Sequence, residues 1–525
     1  MSPRSAGHRS RPRDATAGAE DRGKVRSLKD LACVLRAARK SGKRIALCHG
    51  VFDIVHPGHI VHFRQAARSA DLLVVTLTPD RFVNKGPGHP IFNEQLRLEA
   101  LAALQCVDFV ALNEWPTAVE TIKLLRPDLY VKGPDYSDPA RDLTGKIGAE
   151  EAAVRRVGGK LVLTDGFTWS SSQLINRFFS VYPPPTRDYL NDFRARHRAD
   201  QILGQLKELA PLRVLVVGES ILDEYCYCIP LGKAPKETIV ATKYASEERF
   251  AGGAAATANH VAGLCEKVTL VTALGRDHQE RAFFAGKLLP NVRMLPLLLD
   301  QRPTIRKRRF LEPSFMTKMF EIQHLDDSPV GPDAEARLEA VLAAQVPKHD
   351  LVIVNDFGHG LLTKRLRAWL SACGKFLALN TQTNSANMGF NAVTNYTRAD
   401  FVAIDDPELR LAARDKFGAV ADMASRLRGQ MRAKLFLVSR GPLGSVVLHG
   451  KGQAEAPALA THIVDRTGAG DALFAVTSPC AFRGLSPEVL CFVGNCVGAL
   501  AVETVCNREP VDPVRLFKFI ESLLR

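Results

Sequence analysis

No run of apolar residues in this sequence approaches the roughly 18–20 needed to cross a bilayer, which excludes a membrane-spanning helix. The opening stretch MSPRSAGHRSRPRD has no apolar core, which excludes a secretory signal. No Cys-x-x-Cys pair occurs. The eleven cysteines are scattered, with Cys226 and Cys228 the closest. An odd count without framework spacing excludes a disulfide scaffold and implies free thiols in a reducing compartment, read here as the cytoplasm. Aromatics make up only 7% of the chain and do not interleave with Lys and Arg, so a stacking platform for single-stranded nucleic acid is missing. The net charge of +14 is spread along the chain. It suits a protein that handles anionic small molecules, with neither nucleic acid nor membrane as partner.

What is present fits a folded enzyme. With 46% hydrophobic and 24% charged residues in 525, the chain can bury ordinary cores, and its length implies two to four domains. Residues 1–27 are rich in Arg, Ser, Gly and Ala and are expected to be a disordered basic tail. From Leu28 apolar strands such as Leu72–Leu77 alternate with helical segments, which predicts a parallel α/β sheet over 28–180. The prolines at 183–185 interrupt that pattern. Residues 181–210 are expected to be a Pro-rich break and helical connector, and 211–525 a second, larger α/β domain.

The first chemical constellation is Gly-Val-Phe-Asp-Ile-Val-His-Pro-Gly-His, residues 50–59. A strand is expected to end near Phe52 and a helix to begin near Pro57. A helix N-terminus attracts phosphate through its free N–H groups, and Gly50 and Gly58 let backbone approach an anion. His56 and His59 would stand beside that anion. Two imidazoles donating hydrogen bonds can stabilise charge as a phosphate attacks the α-phosphorus of a nucleoside triphosphate. Half a zinc site is a competing reading, but no Cys or carboxylate pair lies nearby at ligand spacing. A purely structural pair is another.

The whole string resembles the signature of cytidylyltransferase-like nucleotidyltransferases. The resemblance implies a Rossmann-like sheet over 44–177 and phosphate or nucleotide contacts at Gly50, Phe52, Asp53 and Gly58. Asn93–Arg97 resembles the helix start whose arginine, here Arg97, lies near nucleotide phosphates. Lys85 falls where the family has a phosphate-neutralising lysine. The segment 131–136, carrying Lys132, is similar to the VKGGDY-type stretch of heptose adenylyltransferases. Ser170, Ser171 and Ser172 resemble the hydroxyl motif that meets phosphate at a helix start. Cys48-His49 departs from the family pattern, which leaves CTP open beside ATP as nucleotidyl donor.

The second constellation is Asp465-Arg466-Thr467-Gly468-Ala469-Gly470-Asp471. Gly468, Ala469 and Gly470 permit a tight turn whose N–H groups converge on an anion. Asp471, in the first helical turn, is placed to take a proton from an attacking hydroxyl. With Gly252, Gly253 and Asn259 in a small-residue helix start, this resembles the two signatures of the ribokinase (PfkB) carbohydrate kinases, over about 213–515. The resemblance implies sugar contacts at Asp223, Gly252, Gly253 and Asn259. It implies an ATP loop at Ser439, Gly441 and Gly444, a magnesium association at Glu408 and Asp405, and a homodimer. The segment 355–360 is similar to the Ser-Asp-Tyr-Gly-Lys-Gly stretch of heptose kinases. Asn380–Asn387 departs from the family by replacing a charged pair with neutral amides and hydroxyls. Arg306–Arg309 forms a basic strand that reads either as a solvated edge strand or as a clamp for a phosphate already on the sugar.

Both halves together resemble the bifunctional heptose kinase/adenylyltransferases, with the order of domains reversed. The expected function is ATP-dependent phosphorylation of a sugar or sugar phosphate, and nucleotidyl transfer to a sugar phosphate with release of pyrophosphate, in ADP-heptose-like synthesis. Alternatives are a cytidylyltransferase and kinase for another sugar or polyol phosphate, or an active kinase with a regulatory nucleotide-binding first domain.

Overall fold

The computed structural model describes residues 23–83, 89–133, 146–165 and 181–524. Lys85, Ser170, Ser171, Ser172 and most of the expected tail lie outside the described residues. The chain divides into two compact units, Met1–Val181 and Tyr182–Leu524.

The described residues of the first unit form five parallel strands: β1 (Ile45–Gly50), β2 (Leu72–Leu77), β3 (Phe109–Leu112), β4 (Leu129–Lys132) and β5 (Lys160–Leu163). Among the described residues five helices accompany them: α1 (Leu28–Lys40), α2 (Pro57–Arg68), α3 (Glu94–Ala102), α4 (Val119–Leu125) and α5 (Lys146–Arg156). Alternation along β1 divides the core. Ala46 and Cys48 pack with Phe63, Leu98 and Leu101 of α2 and α3. Ile45 and Leu47 pack with Leu31, Leu35, Ile122 and Val154 of α1, α4 and α5. Strands buried on both faces read as continuous apolar runs, as Leu72–Leu77 does. Each fully buried Leu or Val contributes about 1.5–3 kcal/mol. Helices start where side chains satisfy free N–H groups: Ser27 caps α1, His56 caps α2 and Asn93 caps α3. The strand order is β3-β2-β1-β4-β5. The direction of winding therefore reverses between β1 and β4, and a crevice for ligand is expected at their C-terminal ends.

The second unit begins with α6 (Pro184–Arg196) and α7 (Ala199–Lys207). The proline run opens a helix rather than only ending one, with Pro183 at the cap and Pro184 in the first position, where its missing N–H costs nothing. The expected connector is packed into this unit: Arg194 Nε donates to the Leu523 carbonyl at 2.7 Å, and Phe193 stacks on Phe492 at 4.4 Å.

Thirteen strands follow: β6 (Arg213–Gly218), β7 (Ser220–Lys233), β8 (Val240–Gly253), β9 (Lys267–Gly275), β10 (Val292–Leu299), β11 (Ile305–Glu312), β12 (Thr317–His324), β13 (Leu351–Asp356), β14 (Phe376–Thr381), β15 (Phe401–Asp405), β16 (Leu435–Ser439), β17 (Ser445–His449) and β18 (Gly452–Ala456). The helices among and after them are α8 (Ala254–Leu264), α9 (His278–Lys287), α10 (Pro332–Gln345), α11 (Lys364–Ser371), α12 (Asp406–Ala413), α13 (Val420–Gln430), α14 (Ala469–Phe482), α15 (Pro487–Ala501) and α16 (Pro513–Leu524). The main sheet runs β10-β9-β6-β13-β14-β15-β16-β17-β18, with every strand parallel except β17, which is antiparallel to both its neighbours. Its switch point lies between β6 and β13. A second sheet runs β12-β11-β7-β8. The basic segment 306–309 thus lies in β11, an interior strand of that sheet, and the edge-strand reading is corrected. Helices α8 and α14 are small-residue helices buried almost all round, and they pack on each other and on the main sheet.

Candidate active sites

In the first unit, β1 ends at Gly50 and the chain turns sharply at Phe52, whose φ is 47°. Bulky residues rarely adopt this backbone conformation, and where they do the surroundings hold them there. The Phe52 ring packs edge-on against His59 at 5.3 Å and against Phe63 at 5.0 Å. It also covers Gly50, where an added Cβ would fall 2.9 Å from the ring. Gly50 therefore makes room for Phe52.

His56 and His59 stand with ring centroids 3.9 Å apart at the start of α2. His56 Nδ1 accepts from the Gly58 N–H at 3.2 Å. That bond requires an unprotonated Nδ1, so the neutral ring carries its proton on Nε2, the tautomer that can donate to a phosphate. Lys132, at the end of β4, lies across the switch point from β1. Its ammonium is 3.2 Å from Glu150 and 3.4 Å from the His49 carbonyl. Burial alone would raise the Glu150 carboxyl, but Lys132 and His49 bring it below its ordinary range.

Two expected phosphate contacts are engaged elsewhere. Arg97 is 1% exposed. Its guanidinium donates to the carbonyls of Phe92, Val51 and Thr78 and to Asp80. It clamps the loops around the site and has no surface to offer a nucleotide. Asp53 is buried; its oxygens take His89 at 2.6 Å and the Ile91 N–H at 2.7 Å. Burial pushes this carboxyl up, but His89 and the backbone donors outweigh it and hold it below its usual value. Both residues shape the site rather than line it, because their polar atoms are already paired with protein.

In the second unit the candidate residues gather at C-terminal strand ends: Glu219 after β6, Asn355 in β13, Asp405 in β15 and Ser439 in β16. Asp471 lies in the first turn of α14, 7% exposed. Asn355 Nδ2 donates to Asp471 Oδ1 at 3.0 Å and to Thr257 at 2.8 Å. Burial raises the Asp471 carboxyl to about 6, with Asp223 adding to the rise and Asn355 and Lys307 opposing it. Gly468 precedes it with φ 85°, and a Cβ there would fall 2.2 Å from the Asn507 amide. Only glycine fits such a position.

Asp223, in β7, accepts from Arg309 at 2.5 Å. A Cβ on Gly252 would fall 1.9 Å from Asp223 Oδ2, so Gly252 is what lets the carboxylate sit against β8. Gly253 caps α8. Asn259 is a correction. Its amide bonds the Lys287 carbonyl at 3.0 Å and the Leu289 N–H at 2.9 Å, which pins a loop instead of meeting a sugar. Ser439, Gly441 and Gly444 lie at the β16–β17 turn, closed by the Arg440 N–H on the Gly444 carbonyl at 2.7 Å.

Asp405 and Glu408 form a reciprocal capping box at the start of α12. Asp405 accepts the Glu408 N–H at 2.8 Å, while Glu408 accepts those of Asp405 at 2.9 Å and Thr383 at 3.0 Å. Burial, with Asp405 second, raises Glu408 to about 8. A carboxyl with that affinity for a proton and both oxygens engaged does not fit a direct magnesium ligand. No cluster of three metal-binding side chains occurs among the described residues. The neutral stretch after β14 has a similar structural use. Asn384 and Asn387 both donate to the Phe357 carbonyl at 2.7 Å and hold the loop that carries His359.

Several residues that the motifs contain received no role from the sequence. Asn355, which orients Asp471, and Thr257 beneath it are two. Asp465 is another: it gathers Tyr225 at 2.6 Å and Lys318 at 2.8 Å, and so ties the second sheet to the turn before α14. Its place at the head of the glycine turn was the available signal.

Residues 47–177 match the Cytidylyltransferase-like family, and residues 384–512 match the pfkB family carbohydrate kinases. The chain is 41% identical over 145 residues to "Bifunctional protein HldE" of Azorhizobium caulinodans, 27% of this chain and 29% of that protein. It is 35% identical over 164 residues to the protein of that name from Syntrophotalea carbinolica, 30% of this chain and 32% of that protein. The matched stretch thus spans under a third of these relatives' own length. The solved structure of Arabidopsis thaliana ribokinase complexed with ribose and ATP aligns with 60% of this chain and 99% of its own, at 18% identity and a TM-score of 0.45. In chain order, then, a stretch similar to the Cytidylyltransferase-like family precedes one similar to the pfkB family carbohydrate kinases.

Proposed function

We propose that the protein is a bifunctional enzyme that phosphorylates a sugar with ATP and transfers a nucleotidyl group to a sugar phosphate, in synthesis of an ADP-heptose-like nucleotide sugar. The observation that carries this reading is that each unit sets its signature residues at the C-terminal strand ends, by the switch point of its own sheet.

In the second unit a sugar hydroxyl loses its proton to Asp471 as its oxygen attacks the γ-phosphorus of ATP, and ADP leaves. Asn355 fixes the carboxylate, Asp223 accepts hydrogen bonds from sugar hydroxyls, and the turn at Gly468–Gly470 faces the transferring group. Mg²⁺ enters as the complex with ATP. In the first unit a phosphate oxygen of the sugar phosphate attacks the α-phosphorus of the nucleoside triphosphate, and pyrophosphate leaves. His56 and His59 donate hydrogen bonds to the phosphate oxygens, and Lys132 supplies positive charge at the rim. Lys85 and Ser170–Ser172 are proposed to contribute phosphate contacts on the strength of their motifs.

All eleven cysteines are unpaired, which fits a cytoplasmic protein, and no described helix is long and apolar enough to cross a membrane. The second sheet exposes Leu231, Val240 and Phe320, which fits a homodimer, checked by light scattering.

The test is full-length protein with Mg²⁺, ATP or CTP, and a panel of heptoses, hexoses and their phosphates, with products read by mass spectrometry. A nucleotide sugar lost in His56→Ala, and a sugar phosphate lost in Asp471→Asn, are expected. Neither product from any pair would refute the reading, and a product with CTP alone would move it to a cytidylyltransferase.

A further inference from the structure

Strand β11 carries four cations in a row, and three have carboxylate partners. Arg306 meets Glu280 at 2.6 Å, Arg308 meets Glu224 at 2.7 Å, and Arg309 meets Asp223 at 2.5 Å and Glu321 at 2.7 Å. Lys307 is 5% exposed and makes no hydrogen bond or ion pair with a described residue. It stands in register with Asp223 of β7. On the same face of β11, Ile305 lines a cavity of about 20 Å³ with Glu219, Arg302 and His359. His359 is 1% exposed, and neither ring nitrogen has a hydrogen-bond partner.

These groups sense one another. Burial lowers the Lys307 ammonium, against the pull of Asp223. Burial first, and Lys307 second, hold His359 down at about 3, so its ring is neutral with one N–H to give. Lys307 also acts on Asp471. An ammonium largely withdrawn from water needs acceptors for its three N–H bonds, and the described residues supply none. A phosphoryl group has three acceptor oxygens. It must also approach Asp471, whose negative charge Lys307 opposes, while Asp223 is already paired with Arg309.

We propose that Lys307 and His359 form a phosphoryl-binding subsite in the kinase unit, with Lys307 contacting phosphoryl oxygens and His359 donating one N–H to them. The assignment rests on the kinase reading above. The phosphoryl group comes from one of two sources, the γ-phosphate of ATP or a phosphate already on the acceptor.

The test uses full-length wild type, Lys307→Met, Lys307→Arg and His359→Phe. Thermal unfolding is followed without ligand and with inorganic phosphate, the Mg²⁺ complex of a non-hydrolysable ATP analogue, fructose 6-phosphate or fructose. In Lys307→Met the ligand-free protein should melt at or above the wild-type temperature, because an unpartnered buried charge is gone. Its phosphate-dependent shift should fall, with affinity down about tenfold or more, and Lys307→Arg should restore part of it. His359→Phe should weaken phosphate less. Loss with the ATP analogue identifies the γ-phosphate as source; loss with fructose 6-phosphate but not fructose identifies the acceptor. A phosphate shift unchanged in Lys307→Met overturns the subsite, as does a lowered ligand-free melting temperature with intact ligand shifts. Binding is read without turnover, so an inactive kinase with these shifts intact would sink the kinase reading alone.

Discussion

The two units handle charge in opposite ways. In the first, the buried cations have protein partners: Arg97 serves three carbonyls and Asp80, and Lys132 sits against Glu150. What faces the crevice is a pair of imidazoles at a helix start. In the second, Asp471 and Lys307 are buried with their charges poorly matched, and the carboxyl is shifted to about 6. The difference follows from the chemistry assigned to each. A nucleotidyl acceptor is already an anionic nucleophile, so fixed hydrogen-bond donors suffice. A sugar hydroxyl must lose a proton, and a base with a raised proton affinity is suited to taking it.

The largest expected effect separates the units. Asp471→Asn should lower the kinase rate by about 10²–10⁴ while nucleotidyl transfer stays unchanged. His56→Ala should do the reverse. Initial rates of both half-reactions on the same preparations check this, and a loss of both activities in either variant would break the comparison.

Next in size is Arg97→Met. Removing one partner from a buried charged network costs about 3–5 kcal/mol, because Asp80 and three carbonyls lose their donor. The first unit should melt earlier and lose nucleotidyl transfer, with the kinase intact. Lys at this position should not rescue it, since an ammonium cannot reproduce the planar fork. If Arg97→Met kept its melting temperature and only weakened nucleotide binding, the residue would line the site after all.

The pH dependence sharpens the contrast. Asp471 must be ionised to accept a proton, so kinase kcat/KM should fall as pH drops through about 6. Its folded proton affinity exceeds that of the unfolded chain. The ionised group therefore destabilises the fold progressively from the ordinary carboxyl range up through about 6. Asp471→Asn removes this cost, about 2–3 kcal/mol at neutral pH. Raised melting temperature with lost activity is the expected signature, read by calorimetry and rates. A kinase profile flat down to pH 5 would remove Asp471 as the base.

Much of this was legible in the chain. Leu72–Leu77 could only be a buried strand, and Asp471 was marked by the glycine turn before it. What misled was the destination of long polar side chains. Arg97 looks like a phosphate ligand in its motif, yet its partners Val51 and Thr78 lie far from it in sequence. Asn259 and Asp53 are similar cases, since a motif names a residue type but not the loop its hydrogen bonds hold. Lys307 is the converse. Four cations in a row look alike until folding gives carboxylates to three of them. The second sheet was not foreseen, because its two pairs of consecutive strands, β7–β8 and β11–β12, are separated in sequence by two helices and two strands of the main sheet.

The smallest effect bears on Asp405. As the cap of α12 it accepts the Glu408 N–H, a task Asn performs about as well, whereas Ala cannot. Asp405→Asn should therefore leave stability and the Mg²⁺ concentration for half-maximal kinase rate where they are. Asp405→Ala should cost about 0.5–2 kcal/mol in unfolding with the same Mg²⁺ dependence. A Mg²⁺ requirement that rises severalfold in Asp405→Asn at unchanged stability would mean that the carboxylate leaves the cap during turnover to reach the metal. The second unit would then share the trait of the first, with charged side chains holding the fold at rest, and the contrast would lie in when each group is released.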